Sequence, residues 1–358
     1  MIPADAIQRV DSVMIAPSVT IIDAVRRLDA AGTGALLVCD AGLTRRGLVT
    51  DGYIRRAMLT GVAFTEPVGS IARTDPIVAP PDITQHAALE LMDHALEFAV
   101  NHLPLVAQDG RAVGLLLRRD LVTQEQRPLS ALIMAGGFGV RMLPLTEKTP
   151  KPMLPVGGRP LLERTVRSLS RTGIRRVVIS THHLADRITS HFGDGHDYGI
   201  DLDYITETLP LGTAGALRLV NETGPLLVVN GDILTRVDFE DLMAFHRDQR
   251  AELTVGMRRC ELQLPYGVLD CDGPLVRTVR EKPREAFWVN AGIYLVEPSV
   301  RDLIPDGTRF DMTDLIDRML ADGRPVAGFP IVEYWLDIGQ PADYLRAQTD
   351  AEPAGVAP

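Results

Sequence analysis

One stretch of this chain leaves its backbone few options. An apolar run with strand character, Ala131-Leu132-Ile133-Met134, passes directly into Ala135-Gly136-Gly137-Phe138-Gly139, and five prolines then fall between positions 144 and 160. The prolines forbid a helix and hold that segment as a shaped loop. Glycines after a buried strand let the backbone approach a ligand and turn N–H groups toward phosphate oxygens. Spacing excludes two familiar phosphate sites. From Gly137 the third glycine of G-x-G-x-x-G would fall at Met142, and no G-K-[S/T] closes the loop as in a P-loop.

Charge points the same way. From Arg141 to Arg176 nine basic residues stand against two acidic ones, Glu147 and Glu163, in a chain whose net charge is −10. The overall acidity argues against a general nucleic-acid or anionic-membrane binder, so a local positive run suggests a small-anion site. Of the 37 basic residues only Lys148, Lys151 and Lys282 are lysines. GC-rich coding alone can thin lysines in this way, but two of the three follow the glycine loop.

With 358 residues the chain has room for about two domains. Its first third holds a weak repeat. Val10-Asp11-Ser12-Val13 is echoed by Val68-Gly69-Ser70-Ile71, each followed by a proline-marked extended stretch. An amphipathic helix pattern comes next, from Ile22 to Leu28 in one copy and from Ala88 to Met92 in the other. Two strands follow in each: Ala35-Leu36-Leu37-Val38 then Gly47-Leu48-Val49-Thr50, and Leu103-Pro104-Leu105-Val106 then Gly114-Leu115-Leu116-Leu117. Copies this short cannot each close a core and should pack as one unit.

This order of elements resembles the paired cystathionine-β-synthase (CBS) repeat, with copies at about 8–62 and 66–123 of a 1–126 module. The resemblance implies an adenine nucleotide between the halves, gripped by a hydroxyl residue and an Asp three positions later. Here the grip is split: Thr50 is followed by Tyr53, and Asp120 is preceded by Leu117. Nucleotide binding and simple dimerisation both stay open for this module.

After the polar linker Gln124-Glu125-Gln126-Arg127-Pro128, strand and helix patterns alternate, as in an α/β domain with a mostly parallel sheet. Residues 349–358 read as a flexible tail. The loop and its sequel, from Arg141 through Lys151-Pro152 to Pro160, closely resemble the sugar-1-phosphate nucleotidyltransferases, of hexose-1-phosphate guanylyltransferase type. The resemblance extends over about 130–345. It implies an α/β fold, a Rossmann-like nucleotidyltransferase domain (127–348) with a mostly parallel mixed sheet, behind an α+β CBS-pair module.

The resemblance assigns roles. Arg141 and Lys151 would grip the triphosphate and stabilise departing pyrophosphate, with Asp232 as the third catalytic residue. Leu132, Ala135, Gly136, Gly137, Gly139, Glu207, Gly212 and Thr213 would bind the nucleotide. Asp232, at the end of Val228-Val229-Asn230-Gly231, and Asp337, in Tyr334-Trp335-Leu336-Asp337, would hold Mg²⁺. Gly267, Glu281, Lys282, Asn290 and Gly292 would meet the sugar phosphate. The loop Leu211-Gly212-Thr213-Ala214-Gly215 leans toward guanine. The expected reaction transfers a nucleotidyl group from an NTP, GTP favoured, to a sugar 1-phosphate for surface-glycan synthesis, with glucosamine-1-phosphate or another hexose or heptose phosphate as acceptor. Uridylyl transfer to a hexose-1-phosphate, or a catalytically silent nucleotide-sugar binder, are the alternatives.

Other features carry less. His182-His183 would point to opposite faces of a strand and so not share an ion. Asp194, Asp197, Asp201 and Asp203 fall in a glycine-rich turn and are expected to be solvated, and no G-x-S-x-G elbow is present. Three cysteines, Cys39, Cys260 and Cys271, form no C-x-x-C pair, which fits a reducing compartment. With no signal-peptide pattern at Met1 and no apolar run of about 18 residues, a cytoplasmic enzyme is expected. Its expected partners are the NTP, the sugar phosphate and further copies of the chain, with neither nucleic acid nor membrane.

Overall fold

A computed structural model of the chain describes residues 2, 7–94, 100–121, 129–207 and 209–351. The 124–128 linker and residues 352–358 lie outside the described residues. The N-terminal unit contains two three-stranded sheets. One joins Met14–Ile15, Ala35–Cys39 and Arg45–Thr50; the other joins Ile7–Arg9, Ala112–Leu117 and His102–Val106. Strand Ile7–Arg9, from the start of the chain, pairs with the second copy, so the copies interlock instead of closing separately. Helix Ile21–Ala31 begins where the Thr20 hydroxyl accepts the Asp23 N–H (3.3 Å) and ends at Gly32 in the left-handed region.

The larger unit is built on a seven-stranded sheet. Its order is Asp201–Thr206, Arg176–Thr181, Ser130–Met134, Leu226–Asn230, Arg284–Val296, Leu253–Gln263 and Val326–Pro330. The first four strands are parallel; Arg284–Val296 is antiparallel to both neighbours. Ser130–Met134 therefore has later strands on both sides, a switch point whose carboxyl-end crevice suits a ligand. Helices cover both faces. Leu161–Arg171 shows why: Leu162, Val166 and Leu169 recur on one stripe and are fully buried, each burial contributing about 1.5–3 kcal/mol.

Beyond the sheet, Leu253–Gln263 and Arg284–Val296 continue as a two-stranded ribbon capped by the hairpin Val268–Asp272 with Leu275–Arg280. Among the described residues no helix is long and apolar enough to cross a membrane.

Candidate active site

The carboxyl ends of Ser130–Met134 and Leu226–Asn230 open into a cleft of about 500 Å³. Ala135, Gly136, Gly137 and Gly139 form one wall. The proline-stiffened segment is tied back to that wall, since the Thr146 hydroxyl donates to the Gly139 carbonyl at 2.8 Å. Two short 3-10 turns, Val140–Met142 and Lys151–Met153, then deliver Arg141 to the exposed rim and Lys151 to the floor. Lys151 is only 8% exposed, and its Nζ donates to Asp232 Oδ2 at 2.5 Å.

Asp337 lies beside this pair. Ile233–Thr235 runs antiparallel to Trp335–Asp337, and the Ile338 N–H donates to the Asp232 carbonyl at 3.0 Å. Burial pushes the Asp337 carboxyl above its ordinary pKa, the neighbouring Asp232 adds to the rise, and Lys151 and Arg141 oppose it. Two crowded carboxylates of this kind suit a hard oxygen-seeking cation. Among the described residues no group of three or more His, Cys, Asp or Glu is placed to hold a metal alone. A cation held by Asp232 and Asp337 would therefore need further oxygen ligands from outside these side chains.

Glu207, Pro210, Gly212 and Thr213 make the facing wall. Glu207 acts as a brace there: Ser180 Oγ donates to its Oε1 and the Leu211 N–H to its Oε2, both at 3.0 Å. Gly212 has φ +81°, and a β-carbon would sit 2.6 Å from Asp311 Oδ1 and 2.7 Å from the Phe310 carbonyl oxygen. A larger residue would push the loop off its support. The Thr213 N–H donates to Asp311 Oδ1 at 2.9 Å, and its hydroxyl accepts the Met312 N–H at 2.8 Å. Thr213 thus joins Asp311 in capping helix Met312–Ala321. Thr208 lies outside the described residues.

Of the sugar-phosphate candidates, Asn290 and Gly292 stand at the root of the ribbon. The Gly292 N–H donates to Asn290 Oδ1 at 2.9 Å, and a β-carbon on Gly292 would lie 2.5 Å from Nδ2 of Asn230, itself on the cleft wall. Gly267, Glu281 and Lys282 are farther out along the ribbon and do not line the cleft. They gather near one another, with a β-carbon on Gly267 only 3.1 Å from Glu281 Oε2.

Three sequence expectations need correction. Leu132 is fully buried among Val228, Leu217 and Tyr294, so it supports the strand and takes no part in the cleft wall. The nine basic residues do not form one anion site. Only Arg141 and Lys151 of them line the cleft, while Arg164 donates to the Val156 carbonyl and Arg167 and Arg176 pair with Glu163 and Glu222. His182 and His183 do not alternate on a strand, because Arg176–Thr181 ends before them. Both rings approach Phe138, at 5.0 and 5.7 Å, and His182 Nδ1 lies 2.7 Å from the Glu207 carbonyl oxygen.

The structure also adds residues that sequence reasoning missed. Phe138, Ser180, Asn230, Arg309 and Asp311 all line the cleft. Phe138 carried a legible signal, since an aromatic ring among glycines has no core to enter. Arg309 and Asp311 carried none, because they meet Gly212 and Thr213 only through folding.

A smaller cavity of about 320 Å³ lies between the two units, with Thr50, Tyr53, Arg73 and His102 facing Asp241 and Asp248. The Thr50 hydroxyl there accepts the Tyr53 N–H at 3.4 Å and caps helix Asp51–Leu59. Asp120 is not on its wall; it accepts from Gln8 Nε2 at 3.2 Å.

The nucleotidyl transferase family profile matches residues 130–353, and the CBS domain profile matches 68–126. Mannose-1-phosphate guanylyltransferase of Mycobacterium tuberculosis is 33% identical over 242 residues, covering 64% of this chain and 66% of that protein. UTP–glucose-1-phosphate uridylyltransferase of Synechocystis is 33% identical over 242 residues, covering 61% and 62%. The chain thus spans just under two thirds of the length of each relative. A Bacillus anthracis crystal structure with sucrose, provisionally assigned as a glucose-1-phosphate thymidylyltransferase, superposes with TM-score 0.52 at 24% identity, covering 64% of this chain and 98% of that one. With the glycine loop, both cations and the strand-end Asp232 gathered on one cleft, and a family profile matched along most of the chain, this protein belongs to the nucleotidyl transferase family, with a CBS domain ahead of the unit that profile matches.

Proposed function

We propose that the protein transfers a nucleotidyl group from an NTP to a sugar 1-phosphate, releasing pyrophosphate. The observation that carries this reading is the convergence of the 135–139 glycine wall with Arg141, Lys151 and Asp232 on one cleft. An acceptor phosphate oxygen attacks the α-phosphorus, the bond from that phosphorus to the bridging oxygen breaks, and pyrophosphate leaves with the electron pair. The acceptor oxygen is already ionised at neutral pH, so the site needs cations and fixed donors more than a base. Arg141 at the rim and Lys151 at the floor are placed to neutralise the triphosphate and the leaving group. Asp232 and Asp337 would hold Mg²⁺, which when bound supplies further neutralisation of phosphate charge.

GTP is the favoured donor. The Gly212-Thr213 loop and the M. tuberculosis guanylyltransferase support it, while the Synechocystis relative keeps UTP as the second reading. The acceptor is a hexose or heptose 1-phosphate, glucosamine-1-phosphate among them, and the product an activated sugar for surface glycans. Pyrophosphate release across a matrix of NTPs and sugar 1-phosphates tests this directly. Release with UTP alone would sink the guanylyl reading, and no release with any pair would leave a nucleotide-sugar-binding protein instead.

A further inference from the structure

We propose that Arg55, on a helix of the N-terminal unit, is a positioning residue for Asp337, which lies beside the Lys151–Asp232 pair at the edge of the cleft in the other unit. The proposal rests on the reading of Asp232 and Asp337 as the carboxylates that hold a divalent cation. Helix Asp51–Leu59 packs against strand Val326–Pro330 and helix Phe239–Asp248. It carries Arg55 into the seam, where the side chain is fully buried. The guanidinium lies over the Phe329 ring, 3.8 Å from its centroid, and donates to the Pro330 carbonyl. It also grips the Glu333 carboxylate with two nitrogens, at 2.6 Å to Oε1 and 3.4 Å to Oε2.

A solvent-exposed ion pair of this kind would fix little. This one is closed to water, with side-chain exposures of 0% for Arg55 and 13% for Glu333. Each partner is then costly to leave alone, so Arg55 determines where Glu333 sits. Asp51 and Asp241 also face the guanidinium, but neither belongs to the segment that leads to the cleft.

Downstream of Glu333 the segment is held by backbone and side-chain hydrogen bonds. The Glu333 carbonyl accepts from Arg258 Nη1 at 3.0 Å, and the Tyr334 carbonyl accepts the Arg236 N–H at 2.9 Å. Trp335 Nε1 donates to the Ala291 carbonyl at 2.9 Å. The strand Trp335–Asp337 then ends on the carboxylate opposite Ile233, the residue after Asp232. A run of four residues therefore links a buried anchor from the N-terminal unit to the carboxylate that neighbours Asp232. Loosening the anchor by about 1 Å is enough to misplace a metal-holding group.

The test uses the full chain with Arg55→Met, Arg55→Lys, Glu333→Gln and, as a control, Asp337→Asn. Mn²⁺ affinity without substrates, the Mg²⁺ dependence of pyrophosphate release, and the melting temperature are measured for each. Arg55→Met and Glu333→Gln should weaken Mn²⁺ binding and raise the half-saturating Mg²⁺ by about tenfold, as loss of outer-shell support does elsewhere. The NTP KM at saturating Mg²⁺ should stay unchanged, and Arg55→Lys should recover part of the affinity. A lower melting temperature with unaltered Mn²⁺ affinity would overturn the proposal. If Arg55→Met does not fold, Glu333→Gln decides alone. Should Asp337→Asn weaken Mn²⁺ while Arg55→Met and Glu333→Gln do not, only the positioning role falls. Should Asp337→Asn leave Mn²⁺ binding intact, the metal reading falls and takes the proposal with it.

Discussion

Lys151 and Asp232, 81 residues apart, form a 2.5 Å ion pair on the floor of the cleft. The pair places a cation and an anion where the triphosphate of the proposed reaction would enter. Phosphate oxygens can take over the Lys151 ammonium, which frees the Asp232 carboxylate for other work. The side chains are 9% and 28% exposed, so both charges act with little screening.

Removing either charge should therefore slow turnover strongly. Lys151→Met and Asp232→Asn are each expected to lower kcat by about 10²–10³-fold, the usual loss when one preorganised stabilising group goes. Pyrophosphate release measures this, with near-ultraviolet circular dichroism as the check on folding. A fall below tenfold in Lys151→Met would remove the lysine from the catalytic role.

Gly212→Ala should act on the nucleotide alone. The left-handed φ and the 2.6 Å approach to Asp311 mean the loop must move to admit a methyl group. Strain of this kind costs about 1–3 kcal/mol. The expected result is a higher NTP KM with the sugar-phosphate KM unchanged. Equal rises in both would show that the loop does not belong to the nucleotide side.

Where chemistry and chain neighbourhood coincide, the sequence was legible. Ala135, the three glycines, Arg141 and Lys151 fall within 17 positions, and an apolar run leading up to Asp232 declares itself by pattern. Pairings at long range were not legible. Arg176 looked free for an anion until folding set it 2.8 Å from Glu222, and Asp311 gave no hint that it would hold the Thr213 N–H. The N-terminal unit shows the same limit. Its strands were readable from apolar runs, but the return of Ile7–Arg9 to the second copy was not. Leu132 failed for another reason: a motif position next to a site can serve the core alone.

Glu207 offers a test of brace against ligand. Its two oxygens are engaged by Ser180 and the Leu211 N–H. Glu207→Gln keeps one acceptor and should raise the NTP KM only a few-fold. Glu207→Ala leaves the Leu211 N–H without its partner and should cost about 1–3 kcal/mol of stability as well. Urea unfolding and steady-state kinetics separate the two effects. If Glu207→Gln alone abolished binding, the carboxylate would be touching the nucleotide directly.

The seam between the units should respond to pH through Asp51 and Asp241, which share a hydrogen bond across it. Burial pushes Asp241 well above its ordinary value, and the nearby Asp51 adds to the rise. Asp51 is raised by burial too, while its bond to Asp241 and the charge of Arg55 pull it back. An acid whose folded pKa is raised binds its proton more tightly in the folded state. Its contribution is fully present below the unfolded value of about 3.9 and is lost as pH rises through the folded pKa. Glu333 and Asp238 also face this cluster and oppose ionisation of Asp51. Asp241→Asn keeps a donor toward Asp51 without the charge. Its stability advantage over the wild type should therefore grow with pH, by up to about 1.4 kcal/mol per unit while one proton is being released. Urea unfolding of both proteins between pH 5 and about pH 8 reads that difference, and parallel profiles would mean that no proton is held at the seam.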